Sequence, residues 1–329
     1  MIFGTSFSPE YCEYIGIKDP LLSLKFIHEE LGINDIRLGM RWNMVDNGKS
    51  LSLSYYEKYL EYLFKNNINI CLNVGPIKTF RWPEEHVPEY LNNSYTKYVD
   101  DSSQLASYSK EYFGNLLDLL DRAYGDNIKD VQFQIENESF NRFGHIATKM
   151  SPEYIFSLVS ILFGKYPTST LMMNSAGRND LYKVVDIFKR IRLEPSFNPK
   201  CLILGFNYYF RIPNVFPFIQ NIDPIRMSYP WNMSISELKK QSRDLNFHIE
   251  VSEGQFEPWG RMNTPGNSYD DFKYLLDRAE LILSEESNPV LRLWGTEEFS
   301  KKFLGGIANS IHKGIMKEII DNNKCCNTV

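Results

Sequence analysis

Two glutamates in this chain stand where carboxylates could work as a pair. Glu138 closes the run Val131-Gln-Phe-Gln-Ile-Glu-Asn-Glu138, and Glu253 closes Phe247-His-Ile-Glu-Val-Ser-Glu253. Each run has the alternating apolar pattern of a short strand, so each carboxylate is expected at a C-terminal strand tip. On two strands of one parallel barrel, the side chains would converge on its mouth. An acid that protonates a leaving oxygen and a carboxylate that attacks carbon are the minimum for splitting a glycosidic bond. Retention of anomeric configuration would place them about 5–5.5 Å apart.

The two roles need different surroundings. A general acid must keep its proton near neutral pH, so Glu138 needs a partly desolvated pocket and a nearby negative charge, which an ionised Glu253 would supply. A nucleophile must stay ionised, which requires donors around Glu253. Arg37 and the hydroxyl of Tyr209 are the candidates, and Asn207, two positions before Tyr209 on one strand, shares its face. Glu136 and Glu250 lie in the same strands as the chosen pair and are expected to be structural, held by arginine or backbone donors.

These side chains need a frame of alternating strands and helices. Strand character recurs at Ile2–Ser6, Asp35–Gly39, Ile68–Val74, Val131–Ile135, Leu171–Asn174, Leu202–Asn207, Phe247–Ser252 and Val290–Trp294. Between them, helical spacing of apolar residues predicts Leu21–Leu31, Tyr55–Lys65, Ser103–Tyr124, Pro152–Phe163, Leu181–Ile191, Ile235–Asp244, Tyr269–Leu283 and Glu297–Ile320. Eight such units without a Pro/Gly/Ser-rich linker predict one α/β domain, a single (β/α)8 TIM barrel over residues 1–323, with 324–329 a short polar tail. Ser151-Pro152-Glu153 reads as a helix start and Gly32 as a helix end. The longest irregular stretches, Gly75–Asp101 and Tyr208–Met233, follow the third and sixth strands, on the face where barrel sites are built.

Composition narrows the ligand. The 329 residues carry a formal net charge of −5 with acidic and basic residues interspersed, which offers no basic footprint for nucleic acid and no polybasic membrane anchor. With 14% aromatic residues, rings beyond the core are available as platforms for sugars. No apolar run approaches a membrane span and the first strand begins almost at Met1, so a cytoplasmic protein is expected. Cys12, Cys71, Cys201, Cys325 and Cys326 have no zinc-ligand spacing, and His28, His86, His145, His248 and His312 are scattered. Neither a metal nor an organic cofactor is expected. The oligomeric state is not legible.

The Asn137-Glu138 pair after the fourth strand and Glu253 after the seventh resemble the catalytic pattern of the large clan of retaining (β/α)8 glycoside hydrolases. That clan includes β-glucosidases, microbial β-galactosidases and many cellulases. Gln134-Ile-Glu-Asn-Glu138 is similar to the Gln-x-Asp-Asn-Glu strand of the β-galactosidases, in which the last Glu is the acid/base. Gly205-Phe-Asn-Tyr-Tyr209, Arg37-Leu-Gly-Met-Arg-Trp42 and Phe3-Gly-Thr-Ser6 look like segments of the β-glucosidases. Two motifs depart: the Thr-Glu-Asn-Gly around that family's nucleophile is here Ser252-Glu-Gly-Gln255, and its His-Trp after the third strand is replaced by Gly75-Pro-Ile-Lys-Thr-Phe-Arg-Trp82.

The resemblance implies that Asn137 donates to the sugar 2-hydroxyl and that Trp294, ending the eighth strand, floors a sugar subsite. Trp82 and Trp259 either wall a subsite or pack a loop, and Glu10 either holds sugar hydroxyls or caps a loop. The expected activity is that of a retaining β-glycosidase acting on a small glycoside or oligosaccharide. A transglycosylase using the same site and a non-catalytic glycan-binding barrel are the alternatives.

Overall fold

The structure is a computed structural model and describes residues 1–175, 178–210, 235–257 and 268–326. In chain order the strands are β1 (Ile2–Phe7), β2 (Asp35–Gly39), β3 (Asn69–Asn73), β4 (Tyr98–Val99), β5 (Gln132–Gln134), β6 (Lys149–Met150), β7 (Thr170–Ser175), β8 (Cys201–Tyr208), β9 (His248–Gln255) and β10 (Val290–Trp294). Among the described residues, eight of these close a parallel barrel in the order β1-β10-β9-β8-β7-β5-β3-β2, and β4 pairs with β6 in a separate two-stranded sheet. This is the single (β/α)8 architecture expected from the alternation of elements.

The helices are α1 (Pro9–Tyr14), α2 (Pro20–Lys25), α3 (Trp42–Val45), α4 (Glu57–Lys65), α5 (Gln104–Tyr124), α6 (Pro152–Lys165), α7 (Arg178–Leu193), α8 (Ile235–Leu245), α9 (Tyr269–Leu283), α10 (Thr296–Leu304) and α11 (Ser310–Cys326). Local chemistry sets their ends. Ser151 accepts from the Tyr154 amide at 3.1 Å with Pro152 opening α6, and Ser103 caps α5 in the same way. The segment Leu21–Leu31 is α2 followed by a π-helical turn, Phe26–Glu30, before Gly32 at φ 68°. The predicted helix Glu297–Ile320 is two helices. Gly305 and Gly306, the latter at φ 69°, break the α-helical path between α10 and α11.

Contacts group the chain into two compact units. One comprises Met1–Arg37, Gly205–Lys240 and Ile249–Val329, and the other Leu38–Leu204 and Gln241–His248. In the first, Phe3 of β1 stacks on Phe272 of α9, and Phe256 meets both Phe272 and Phe299. Asn323 of α11 accepts from the Phe3 amide and donates to the Leu31 carbonyl, tying α11 to β1. Arg292 of β10 is buried and ion-paired with Asp35 at 2.6 Å and with Glu250. Gly4 lets the backbone of β1 pass this triad, because a Cβ there would meet Asp35 Oδ1 at 2.5 Å.

In the second unit, β3, β5 and β7 pair in register, with Asn73 opposite Gln134 and Gln134 opposite Met172. Phe133 stacks on Tyr166 at 5.4 Å, Trp42 on Tyr112 at 4.8 Å, and Ser109 of α5 hydrogen-bonds Tyr154 of α6. Cys71 packs with Met172 and Ile203 as a small core residue, as its apolar run suggested. No described helix is long and apolar enough to cross a membrane.

Candidate active site

In the first unit, β9 carries Glu253 buried among donors. Arg37 Nη1 donates to Glu253 Oε1 at 2.6 Å, and the Tyr209 hydroxyl donates to Oε2 at 2.6 Å. Arg37 is fully buried and also donates to Ser6 Oγ at 3.0 Å, so its guanidinium is oriented from two sides. Asn207 Oδ1 accepts from Ser252 Oγ at 2.6 Å, one residue before Glu253, and the Phe210 amide donates to Gln255 Oε1 at 3.1 Å. The tip of β8 is thereby bonded to β9 on both sides of Glu253. Bidentate coverage by a cation and a hydroxyl fixes the carboxylate's orientation and balances its charge.

Trp294, half-buried at the end of β10, has its ring 6.3 Å from Tyr209 and edge-on to it. Its carbonyl accepts from the amides of Phe256 and Glu257, and the next residue must be glycine: Gly295 sits at φ 111° with Glu257 where a Cβ would go. Glu10 lies in the first turn of α1, where it accepts from the Ser8 hydroxyl at 2.8 Å while Ser8 caps that helix. Trp259 and the stretch 211–233 lie outside the described residues.

In the second unit, Glu138 is reached by a turn rather than a strand tip. β5 ends at Gln134, and both Glu136 (φ 54°) and Glu138 (φ 46°) are left-handed. The backbone donors here leave the ladder for other partners: Glu136 N donates to the Gly75 carbonyl at 2.8 Å, Asn137 N to the Lys78 carbonyl at 3.0 Å, and Glu138 N to Asn174 Oδ1 at 3.1 Å. Such φ values are costly for non-glycine residues and persist where the surroundings over-determine them. Asn137 Oδ1 accepts from Asn174 Nδ2 at 2.8 Å, and Gln134 Nε2 donates to Asn174 Oδ1 at 2.9 Å. Glu138 itself is buried, and Asn141 Nδ2 donates to its Oε2 at 3.1 Å.

A second layer secures this turn. Glu136, fully buried, accepts from the amides of Ile77 (3.1 Å) and Lys78 (2.5 Å) and from the Tyr154 hydroxyl (3.1 Å). Burial pushes its carboxyl up to about 7, against the pull of those donors and of the Lys78 charge. Lys78, also fully buried, donates to the carbonyls of Asn141 (3.1 Å) and Glu138 (3.4 Å). Glu85 accepts from the amides of Thr148 and Ile146, and its carboxylate fills the space beside Gly144. His86 is held well below the usual imidazole range by burial and by the charge of Arg41. Trp82 is 64% exposed, edge-on to Phe143 and His145 at 6.4 and 6.3 Å. Its ring is open to a ligand.

The structure therefore brings Arg37, Tyr209 and Asn207 to Glu253 or its neighbour, and Asn137 into the amide network around Glu138. Sequence reasoning did not single out Lys78, Asn141 or Asn174. One signal was available for Asn174: asparagines recur at barrel strand ends, at Asn73, Asn174 and Asn207. Glu136 and Glu250 have the backbone and arginine partners expected of structural carboxylates.

No family model and no curated protein matches the sequence. Solved structures do match. A monomeric β-xylosidase from Caulobacter crescentus CB15 has a TM-score of 0.60 at 12% identity over 89% of this chain, which spans 59% of the xylosidase. A family 10 endoxylanase retrieved from sugarcane soil metagenome has a TM-score of 0.54 at 15% identity, covering 90% of this chain and 86% of that one. A family 5 broad-specificity endoglucanase from an uncultured bovine rumen ciliate has 0.51 at 12% identity, covering 91% and 86%. What the chain shares with these glycoside hydrolases is the (β/α)8 barrel. At these identities the likeness carries the fold alone.

Proposed function

We propose that the chain is a retaining β-glycosidase. Glu253 attacks the anomeric carbon while Glu138 gives its proton to the leaving oxygen, and the aglycone departs as an alcohol. Water then gives a proton back to Glu138 and attacks the same carbon, releasing the sugar and Glu253. The observation that carries the reading is the coverage of Glu253 by Arg37 and Tyr209, each at 2.6 Å, on a carboxylate buried at the end of a parallel barrel strand. A buried carboxylate held by a guanidinium and a phenol hydroxyl is oriented by both, with its charge balanced by the cation. The rigid Asn137-Glu138 turn supplies the other carboxylate.

Neither carboxylate role requires a cofactor. Small glycosides or oligosaccharides fit the reading, and a fold neighbour, Cel5A from Thermotoga maritima with a TM-score of 0.51, was solved in mutant form in complex with cellobiose substrate. The test is a panel of 4-nitrophenyl β-glycosides with the first-formed sugar followed by proton NMR. The β-anomer of the product is expected first. The α-anomer first would mean inversion, transfer to added alcohols in preference to water would mean a transglycosylase, and sugar binding without turnover would leave a glycan-binding barrel.

A further inference from the structure

Beside the Glu138 turn lies a group of cations with no part in the scheme above. Lys149 belongs to β6, and the β4 pairing together with the Met150 amide donating to the Ser139 carbonyl at 3.0 Å pins it next to the residue after Glu138. Lys183, on the second turn of α7, places its ammonium 5.6 Å from the centroid of the Phe140 ring, two residues past Glu138, and 2.9 Å from Asp180. Arg142 is exposed and follows Asn141, whose amide holds the Glu138 carboxylate.

The Lys183 charge is the largest cause of a lowered Lys149 ammonium, ahead of burial; the Asp180 carboxylate opposes it, and Arg142 adds to it. Like charges on neighbouring side chains repel, and the β4–β6 ladder and α7 fix the backbone positions from which Lys149 and Lys183 project. In a chain of net charge −5 the crowding does not follow from overall composition. An oxyanion set among the three would relieve it.

The general acid protonates the leaving oxygen, so residues of its own loop border the aglycone. We propose that Arg142, Lys149 and Lys183 form an anion-recognition site on the leaving-group side of Glu138, selecting glycosides whose aglycone carries a carboxylate, sulfate or phosphate group. The proposal rests on the glycosidase reading for its placement, and the Trp82 ring beside Phe143 offers the same aglycone an apolar face. Asp180, paired with Lys183 at 2.9 Å, is the carboxylate with which an incoming anion competes.

The test compares 4-carboxyphenyl with 4-carbamoylphenyl β-glycosides of the sugar active in the panel, two aglycones of like shape that differ in charge. The expected kcat/KM ratio in favour of the carboxylate is about tenfold at low salt, the worth of one to two exposed ion pairs. It should fall to near one in K149Q/K183Q and, for the unaltered protein, in 0.5 M sodium chloride. A ratio near one in the unaltered protein at low salt overturns the proposal. So does inorganic phosphate that inhibits both glycosides equally, which would assign the cations to a free anion, whereas inhibition confined to the anionic glycoside supports it. If neither glycoside turns over, the hydrolase reading falls, and equilibrium dialysis of the β-glucosides and β-xylosides of the same pair decides the site: preferential binding of the carboxylate upholds it, and equal or absent binding overturns it.

Discussion

Arg37 and Glu253 are separated by 216 positions in the chain and by 2.6 Å in the structure. Both side chains are buried, so neither charge has bulk water to fall back on. Arg37→Met should lower kcat/KM by about 100- to 1000-fold, comparable to loss of a donor aimed at reacting charge. It should also lower stability by about 3–5 kcal/mol, because it leaves a buried carboxylate without its cation. Tyr209→Phe removes a neutral donor and should cost activity less, with stability nearly unchanged. Steady-state kinetics and urea unfolding of the two variants measure both effects, and equal losses would mean that Arg37 contributes no more than a hydrogen bond.

The two glutamates should separate by product stereochemistry. Glu253→Ala is expected to lose turnover and regain it with azide, yielding an α-glycosyl azide, because the anion enters from the face that the carboxylate vacated. Glu138→Ala should still form the glycosyl-enzyme from aryl glycosides with good leaving groups, and azide should then give the β-azide. NMR of the two products distinguishes them, and exchanged configurations would reverse the roles.

Glu136 makes stability depend on pH in an unusual direction. Its carboxyl is raised from 4.5 to about 7 in the folded protein, so the native state binds the proton more tightly than the unfolded chain. Its contribution is full below pH 4.5 and is lost as pH rises through 7, by on the order of 3 kcal/mol. Glu136→Gln cannot titrate, and its amide cannot accept from both Ile77 and Lys78, so the variant should be less stable at every pH yet lack this component. Subtracting its urea-unfolding free energies from those of the parent between pH 4 and 8 isolates the slope. A difference that does not change with pH would mean that the three donors hold Glu136 ionised throughout.

Arg292 joins Asp35 and Glu250 inside the barrel. Arg292→Leu should lower stability by about 3–5 kcal/mol at neutral pH, because two buried carboxylates lose their shared cation. Thermal melts at pH 7 of this variant and of Arg292→Lys, which keeps a cation and should lose less, check this, and an equal loss in both would assign the arginine to packing alone.

The eight strands and the approximate ends of most helices were legible in the chain because they rest on local periodicity and caps. Residues such as Ser151, Pro152 and Gly32 act on their immediate neighbours. Glu138 and Glu253 stood out for the same reason, each terminating an alternating apolar run. Nothing local distinguished Lys78 or Asn141 as partners of the Glu138 turn, nor Ser6 as the second contact of Arg37. Those contacts exist because parallel pairing sets distant strand ends side by side. The strand expected over Val131–Ile135 spans Gln132–Gln134, and the strand tip expected at Glu138 is a turn for the same reason: the amides of Glu136, Asn137 and Glu138 have their acceptors in Gly75, Lys78 and Asn174. Amphipathic patterning decides which residues are buried, whereas the partners of a buried polar group depend on which strands close the barrel beside it.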